Sequence, residues 1–175
     1  LCYSALSYAP LFIDRNAIVI GDGDLALRSA AELATIAQHV YLVSSSDQLL
    51  KTTLGAKLDA AAHVTILINH EVVEFKGDEF ARTVVLKEPG NGMVELSADG
   101  TFIEKALVPN SQMVSGLVEL DAEGRILVDC SCRTNVPGLF AAGDVASGFA
   151  EQVLIAVGEG AKASLSAYEY LLPWL

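Results

Sequence analysis

Gly21-Asp22-Gly23-Asp24-Leu25-Ala26 sets two glycines and an alanine at G-x-G-x-x-A spacing, between the apolar run Ala17–Ile20 and a stretch with helical periodicity. In that setting each small residue has a physical task. Gly21 allows a tight turn, Gly23 lets backbone approach a pyrophosphate, and Ala26 permits close packing of helix on strand. The helix start offers free N–H groups and a positive dipole end to phosphates. The chemistry this spacing predicts is the grip on a dinucleotide; a tight turn without a ligand is the plainer reading of the same residues. Asp22 and Asp24 count against a strong site, because they put carboxylates beside the phosphates, although an Asp at a helix start is also an ordinary cap. Ser44-Ser45-Ser46 ends the next strand, where an adenosine ribose would be read. An acid there binds both ribose hydroxyls, and an Arg selects a 2′-phosphate. Serine donates to a ribose and offers no charge to a phosphate. If a nicotinamide nucleotide binds, NADH is expected over NADPH, with modest affinity.

The remaining reactive side chains carry less. Cys130-Ser131-Cys132 is the only close cysteine pair, and cysteine is a common small core residue, so no redox role is assigned to it. No second pair or nearby histidine completes a zinc ligand set, and no metal site is expected. His39, His63 and His70 fall at strand and loop boundaries without a nucleophile at useful spacing. No catalytic residue is assigned.

The elements that must position the glycine loop are legible around it. Ala17–Ile20 and Val40–Val43 are continuous apolar runs, as in strands buried on both faces, and Val64–Ile68 reads as the third strand. Ala26, Ala30, Leu33 and Ala37 share one face of a helix between the first two. Asp47 is expected to cap a second helix, whose Leu50, Leu54, Leu58 and Ala61 share a face. This β-α-β-α-β order predicts a parallel sheet covered by helices. From Glu71 to about Glu104, short runs split by Gly77-Asp78 and Pro89-Gly90-Asn91-Gly92 predict an antiparallel meander. Val108-Pro109-Asn110 reads as a hinge. Strands at Arg125–Val128 and Leu139–Ala142 and a long helix from about Glu151 to Leu171 follow.

Composition bounds the function. The chain has 175 residues, of which 52% are hydrophobic and 19% charged, which excludes a disordered tail. A formal net charge of −11 repels nucleic-acid phosphates and anionic lipid surfaces. No apolar stretch approaches the roughly 20 residues of a spanning helix. Three cysteines, an odd number, suit a reducing compartment better than a disulfide framework, and a cytoplasmic location is expected. The first residue is Leu rather than Met, from which a longer polypeptide is expected.

A second glycine element is more specific. Thr134-Asn135-Val136-Pro137-Gly138-Leu139-Phe140-Ala141-Ala142-Gly143-Asp144-Val145, with the segment from Glu151 and Gln152 to Leu171, resembles the C-terminal flavin-binding segment of the thioredoxin reductase-like pyridine nucleotide-disulfide oxidoreductases. Within that group it resembles above all the flavoprotein reductases that serve alkyl-hydroperoxide peroxiredoxins. The likeness extends over the glycine loop, Ile36–Val40, Val108–Asn110 and Ala9-Pro10-Leu11-Phe12, nearly the whole chain. It implies an α/β fold: a Rossmann-like NAD(P)-binding domain over residues 1–110, with parallel sheet, helices and meander, then a C-terminal segment of a Rossmann-like FAD-binding domain over 111–175, the N-terminal FAD half being absent. It implies that Gly143 lies against the flavin chain and that Asp144 accepts from its ribityl hydroxyls. Gln152 and Val153 would open the terminal helix under the isoalloxazine, whose reduced form the positive helix end favours. Strand-end turn and core-packed helix are the plainer reading. FAD and NAD(P)H are thus the implied cofactors, neither expected to bind this chain tightly. The segment after 110 is expected to expose an apolar patch, or to bind the missing FAD-domain half or a second copy.

The family pattern also breaks. Disulfide-reducing members carry C-x-x-C just before A-P-L-F, and alignment on Ala9–Phe12 puts Ser4 and Ser7 there. A serine hydroxyl cannot open a disulfide. Glu151 stands where a basic residue is usual at the flavin edge, and Ala106 where a glycine is common near the nucleotide. Two functions follow as expectations: an FAD-dependent oxidoreductase moving a hydride from NAD(P)H to flavin and on to a non-dithiol acceptor, or a degenerate scaffold that senses a nucleotide or holds a partner. This chain alone is not expected to turn over.

Overall fold

The computed structural model describes residues 1–175 apart from Ala106, Phe149 and Leu175. The described chain divides into two compact units, Leu1–Ala106 and Leu107–Leu175. In the first, the unbroken apolar runs have a simple cause. Strands β1 (Asn16–Ile20) and β2 (His39–Val43) are covered on both faces. Ala17, Val19, Val40 and Leu42 pack with helix residues Ala26, Leu27, Ala30 and Leu33. Ile18, Ile20 and Val43 point the other way, onto Val84 and Leu86. Successive side chains of a strand alternate faces, so two covered faces require an apolar residue at every position.

Helix α2 (Asp24–Ala34) carries the chain from β1 to β2, and α3 (Thr53–Asp59) from β2 to β3 (Val64–Leu67). The meander β4 (Glu71–Gly77), β5 (Ala81–Lys87) and β6 (Met93–Ser97) is antiparallel, and the chain returns in β7 (Gly100–Ile103). The main sheet runs β3-β2-β1-β7, with every pair parallel. That is the order of a Rossmann-like half, with the meander inserted before its fourth strand. The meander is thereby the cover of the second sheet face, through Val84 and Leu86.

Several local expectations are corrected. β7 is not anticipated: its four residues follow the meander directly, and no composition break sets them apart. The expected helix after Asp47 is a 3-10 turn, Gln48–Lys51, followed by α3. Asp47 makes no side-chain cap, whereas Thr52 Oγ1 accepts the Gly55 N–H at 2.9 Å. The core residue of the turn is accordingly Leu49 rather than Leu50. α2 stops at Ala34, so Ala37 reaches the core from beyond the helix. Ahead of β1, α1 (Ala5–Tyr8) and a 3-10 turn Ala9–Phe12 bring Phe12 edge-on to Phe102, with centroids 5.0 Å apart.

In the second unit, the strands expected at Arg125–Val128 and Leu139–Ala142 are not regular strands. Ile126 makes single bridges to Leu120 and Ala146, and Phe140 one to Arg133. A ladder needs consecutive pairs, and among the described residues these segments make only isolated ones. Val118, Ile126, Ala141 and Ala146 form the buried cluster. The terminal helix is observed as α4 (Val153–Leu171). It is tied to the loop at 129–133 by Ser166 Oγ donating to Ser131 O (2.7 Å), Lys162 Nζ to Cys130 O (3.1 Å) and the Arg133–Glu169 ion pair (2.9 Å).

Candidate functional site

At the C-terminal edge of the parallel sheet, β1 and β2 stand side by side with Ile20 opposite Val43, so the residues that follow them are neighbours. Gly21 N–H donates to Val43 O (3.0 Å), Glu104 N–H to Ile20 O (2.8 Å) and Ser44 N–H to Leu67 O (2.9 Å). Gly21 is enforced by packing: a Cβ there would collide with the Glu104 carbonyl oxygen and lie 2.8 Å from Ala26 Cβ. Ala26, fully buried, is the small residue on the facing helix. Gly23 differs. Its backbone is extended (φ −125°), and a Cβ would meet nothing within 4 Å. No protein atom requires glycine at Gly23, so the open space is available to a ligand. Gly23 also gives α2 no side-chain cap, while Asp24 and Leu25, in its first turn, are exposed.

The Asp22 carboxylate crosses to the end of β2. Its Oδ1 accepts Ser45 N–H at 2.7 Å and the Ser44 and Ser45 hydroxyls at 2.9 Å each. Burial raises its pKa, but the Ser44 and Ser45 hydrogen bonds and the Lys105 charge outweigh that and hold the carboxyl below the ordinary carboxylate value. A depressed carboxyl stabilises the fold above the ordinary range and loses that contribution as pH falls through the lowered value. Ser44 is buried and further occupied, with Ser46 O 2.8 Å from its hydroxyl. Sequence reasoning assigns the serines to the ribose and Asp22 to the debit side, whereas the fold joins them into one cluster. A cavity of about 320 Å³ opens here, lined by Gly21, Asp22, Ser45, His70, Glu71 and Lys105 among others.

Three of those lining residues, His70, Glu71 and Lys105, escape the sequence reading as site residues. The signal for them is topological: each lies just beyond the C-terminal end of β3 or β7, the sheet edge where open α/β sheets bind ligands. His70 Nδ1 is 2.7 Å from Ile68 O, His39 Nε2 2.9 Å from Thr65 Oγ1 and His63 Nε2 2.8 Å from Ala34 O, all structural partners. Glu104, 4% exposed, accepts Ser29 Oγ (2.8 Å) and Ala5 N–H (3.2 Å), and so ties α1 and α2 behind the glycine loop. Ser4 caps α1 by position at φ 64°, its hydroxyl 3.4 Å from that of Ser7. Gly21, Gly23 and the helix start, with space before them, fit the phosphate end of an adenine dinucleotide.

The second unit carries the other predicted cluster. Gly143 turns at φ 74°, and a Cβ would lie 3.3 Å from Ala156 Cβ. Its N–H donates to Glu159 Oε2 of α4 at 2.8 Å, a partner the sequence reading does not foresee. Gln152 is the residue before α4 and Val153 its first. Asp144, Gln152 and Val153 line an open cavity of about 780 Å³ together with Val108, Asn110 and Ala156. Acceptor, amide and exposed apolar face fit one wall of a flavin site. Glu151 is paired, 4.0 Å from Arg125 Nη1, so its charge is partly matched. Cys132 is buried, which pushes its thiol pKa up, and it donates to Glu159 O at 3.5 Å; Cys130 is exposed. A raised thiol pKa opposes thiolate chemistry. Ala106, read as a departure near the nucleotide, lies outside the described residues.

Residues 3–160 match the family described as pyridine nucleotide-disulphide oxidoreductase. Over 167 residues the chain is 37% identical to the F component of alkyl hydroperoxide reductase in Escherichia coli (strain K12), a match covering 93% of this chain and 32% of that protein. The F component in Pseudomonas aeruginosa is 36% identical over 175 residues, 98% of this chain and 34% of its own length. The chain therefore spans about a third of the curated relatives it matches. The crystal structure of thioredoxin reductase from Streptococcus pyogenes superimposes with a TM-score of 0.84 at 30% identity, over 97% of this chain and 56% of that one. Sheet order, glycine loop and these matches agree: the chain belongs to the pyridine nucleotide-disulphide oxidoreductase family.

Proposed function

We propose that the first unit binds a nicotinamide dinucleotide, with NADH preferred over NADPH. In this reading residues 1–110 are the NAD(P)-binding domain and 111–175 the C-terminal segment of an FAD-binding domain. The observation that carries it is Gly23: a glycine that no protein contact requires, at the open start of α2, beside a cavity at the sheet edge. Gly21, Gly23 and the α2 start would hold the pyrophosphate, with Asp24, Leu25 and Ala26 in the first turn. Ser44 and Ser45 would lie at the adenosine ribose. Gly143, Asp144, Gln152 and Val153 would hold part of an FAD. When bound, FAD supplies a carrier able to accept a hydride equivalent from NAD(P)H and pass electrons to a non-dithiol acceptor. Ser4 and Ser7 support the non-dithiol acceptor, because two hydroxyls cannot exchange with a disulfide. The exposed α4 face supports a partner, either the FAD-domain half or a second copy.

Titration of the chain with NADH, followed by nicotinamide fluorescence polarisation, tests the first part. Saturable binding is expected, and a signal that stays linear into the millimolar range rejects it. A second reading, a non-catalytic nucleotide-sensing or partner-binding module, is favoured by Ser44-Ser45-Ser46 and by the acids Asp22 and Asp24 in the glycine loop. The two part on flavin. The test uses the longer polypeptide that carries the rest of the FAD domain: an absorbance band that NADH bleaches makes it redox-active, whereas a colourless full-length protein that still binds NADH is the module.

A further inference from the structure

A site that reads ribose needs acceptors for the two hydroxyl protons of an unmodified sugar, and a site that reads a 2′-phosphate needs donors and positive charge. The end of β2 offers only serines in sequence, and serine can do either. The hydrogen-bond inventory decides between them. Asp22 Oδ1 takes Ser45 N–H and the Ser45 hydroxyl, and the single Ser44 hydroxyl hydrogen is shared between Oδ1 and Ser46 O, so the hydroxyl hydrogens are spent within the cluster. Ser44 Oγ further accepts Ser46 N–H at 3.1 Å. Among the described residues Oδ2 of Asp22 takes no hydrogen bond. What the cluster leaves to the cavity is therefore acceptor capacity: Oδ2 and the lone pairs of Ser45 Oγ. Asp22 is ionised at neutral pH, so this capacity carries negative charge. Lys105 is the cation on the cavity wall, and Glu71 on the same wall offsets it.

We propose that Asp22, delivered from the glycine loop and held by Ser44 and Ser45, is the residue that selects the 2′,3′-diol of NAD(H) against the 2′-phosphate of NADP(H). The acid that the end of β2 lacks in sequence is supplied by the neighbouring parallel strand, one residue after Gly21. A diol brings two donors to unfilled acceptors. A 2′-phosphate brings acceptors and negative charge toward the ionised Asp22; Lys105, offset by Glu71, is one donor on the wall, and the end of β2 adds hydroxyl donors only if the serines turn away from Asp22 and leave its oxygen short of partners. The assignment rests on nucleotide binding by the first unit.

The test is calorimetric titration of NADH, NADPH and ADP-ribose into the chain and its Asp22→Asn and Ser45→Ala variants, with folding checked by circular dichroism. The chain is expected to bind NADH at least about tenfold more tightly than NADPH, the size of one charge-assisted hydrogen bond. Asp22→Asn, which removes the charge and adds a donor, is expected to bring the two within about threefold. Ser45→Ala, which keeps the backbone donor, is expected to weaken NADH and ADP-ribose several-fold and to leave NADPH unchanged. Full discrimination in Asp22→Asn overturns the assignment alone, whereas equal binding of NADH and NADPH by the unaltered chain overturns it together with the proposed NADH preference and leaves nucleotide binding standing. If that variant fails to fold, the unaltered ratio and Ser45→Ala still decide. Failure of all three ligands to bind overturns the assignment together with the reading beneath it.

Discussion

At the residue scale the two glycines of the loop separate fold from ligand. Gly21 faces the Glu104 carbonyl and Ala26, so Gly21→Ala forces the loop off the strand and is expected to cost about 1–3 kcal/mol by urea unfolding. Gly23 has space and an extended backbone that alanine adopts without strain. Gly23 is also the N-cap of α2, where Ala is poorer than Gly, so the gain through the unfolded chain is offset and Gly23→Ala is expected to change stability by less than about 0.5 kcal/mol while weakening NADH by fluorescence polarisation. A stability loss at Gly21 alone, with the NADH loss at Gly23, is the mark of one glycine kept by packing and one by a ligand; two equal stability losses would place both in packing. The spacing of the motif is legible in sequence, but this division is not, because it depends on which atoms lie where a Cβ would be. Asp22 shows the same limit. Its conflict with phosphate is readable from charge, and its alliance with Ser44 and Ser45 only from the adjacency of β1 and β2.

Element by element, legibility follows how much of the pattern is local. β1 and β2 are read correctly because burial on both faces removes alternation, and that signal lies within five residues. The second-unit runs Arg125–Val128 and Leu139–Ala142 carry the same apolar signal yet form single bridges, because pairing depends on neighbours that a run does not specify. The start of α3 is a sharper case. Asp47 and Thr52 are both good capping residues, and the chain uses Thr52 after a 3-10 turn that brings Gly55 against the Leu49 carbonyl. Thr52→Ala is expected to cost about 1 kcal/mol, and Asp47→Ala less than about 0.5 kcal/mol, in thermal unfolding. Asp47 holds only Lys51, at 3.2 Å with both side chains more than half exposed, and such pairs contribute little. A larger loss at Asp47 than at Thr52 would reverse the correction.

For the whole molecule, the two units differ in what holds them. Leu1–Ala106 has a sheet covered on both faces, whereas Leu107–Leu175 has four buried apolar residues in its cluster and isolated bridges. Its helix also spends apolar side chains on solvent: Val153, Leu154 and Val157 are 79%, 85% and 65% exposed, with Leu165 and Tyr168 eleven residues after Leu154 and Val157 on the same stripe. An eleven-residue step is close to three whole turns of an α-helix, so this is one continuous face that asks for a cover. Local stability tracks buried apolar contact, so hydrogen exchange is expected to be uneven. Amides of β1 and β2 should exchange only with opening of the first unit's core, and those of Ile126 and Ala141 on the order of tenfold faster or more. A ligand that binds only the folded form stabilises what it binds, by about 2.7 kcal/mol at a hundred times its Kd. Saturating NADH should therefore slow exchange through the first unit and leave residues 118–146 unchanged. Equal protection of both units, or slowing confined to the second, would show that the nucleotide is not held by the glycine loop at the end of β1.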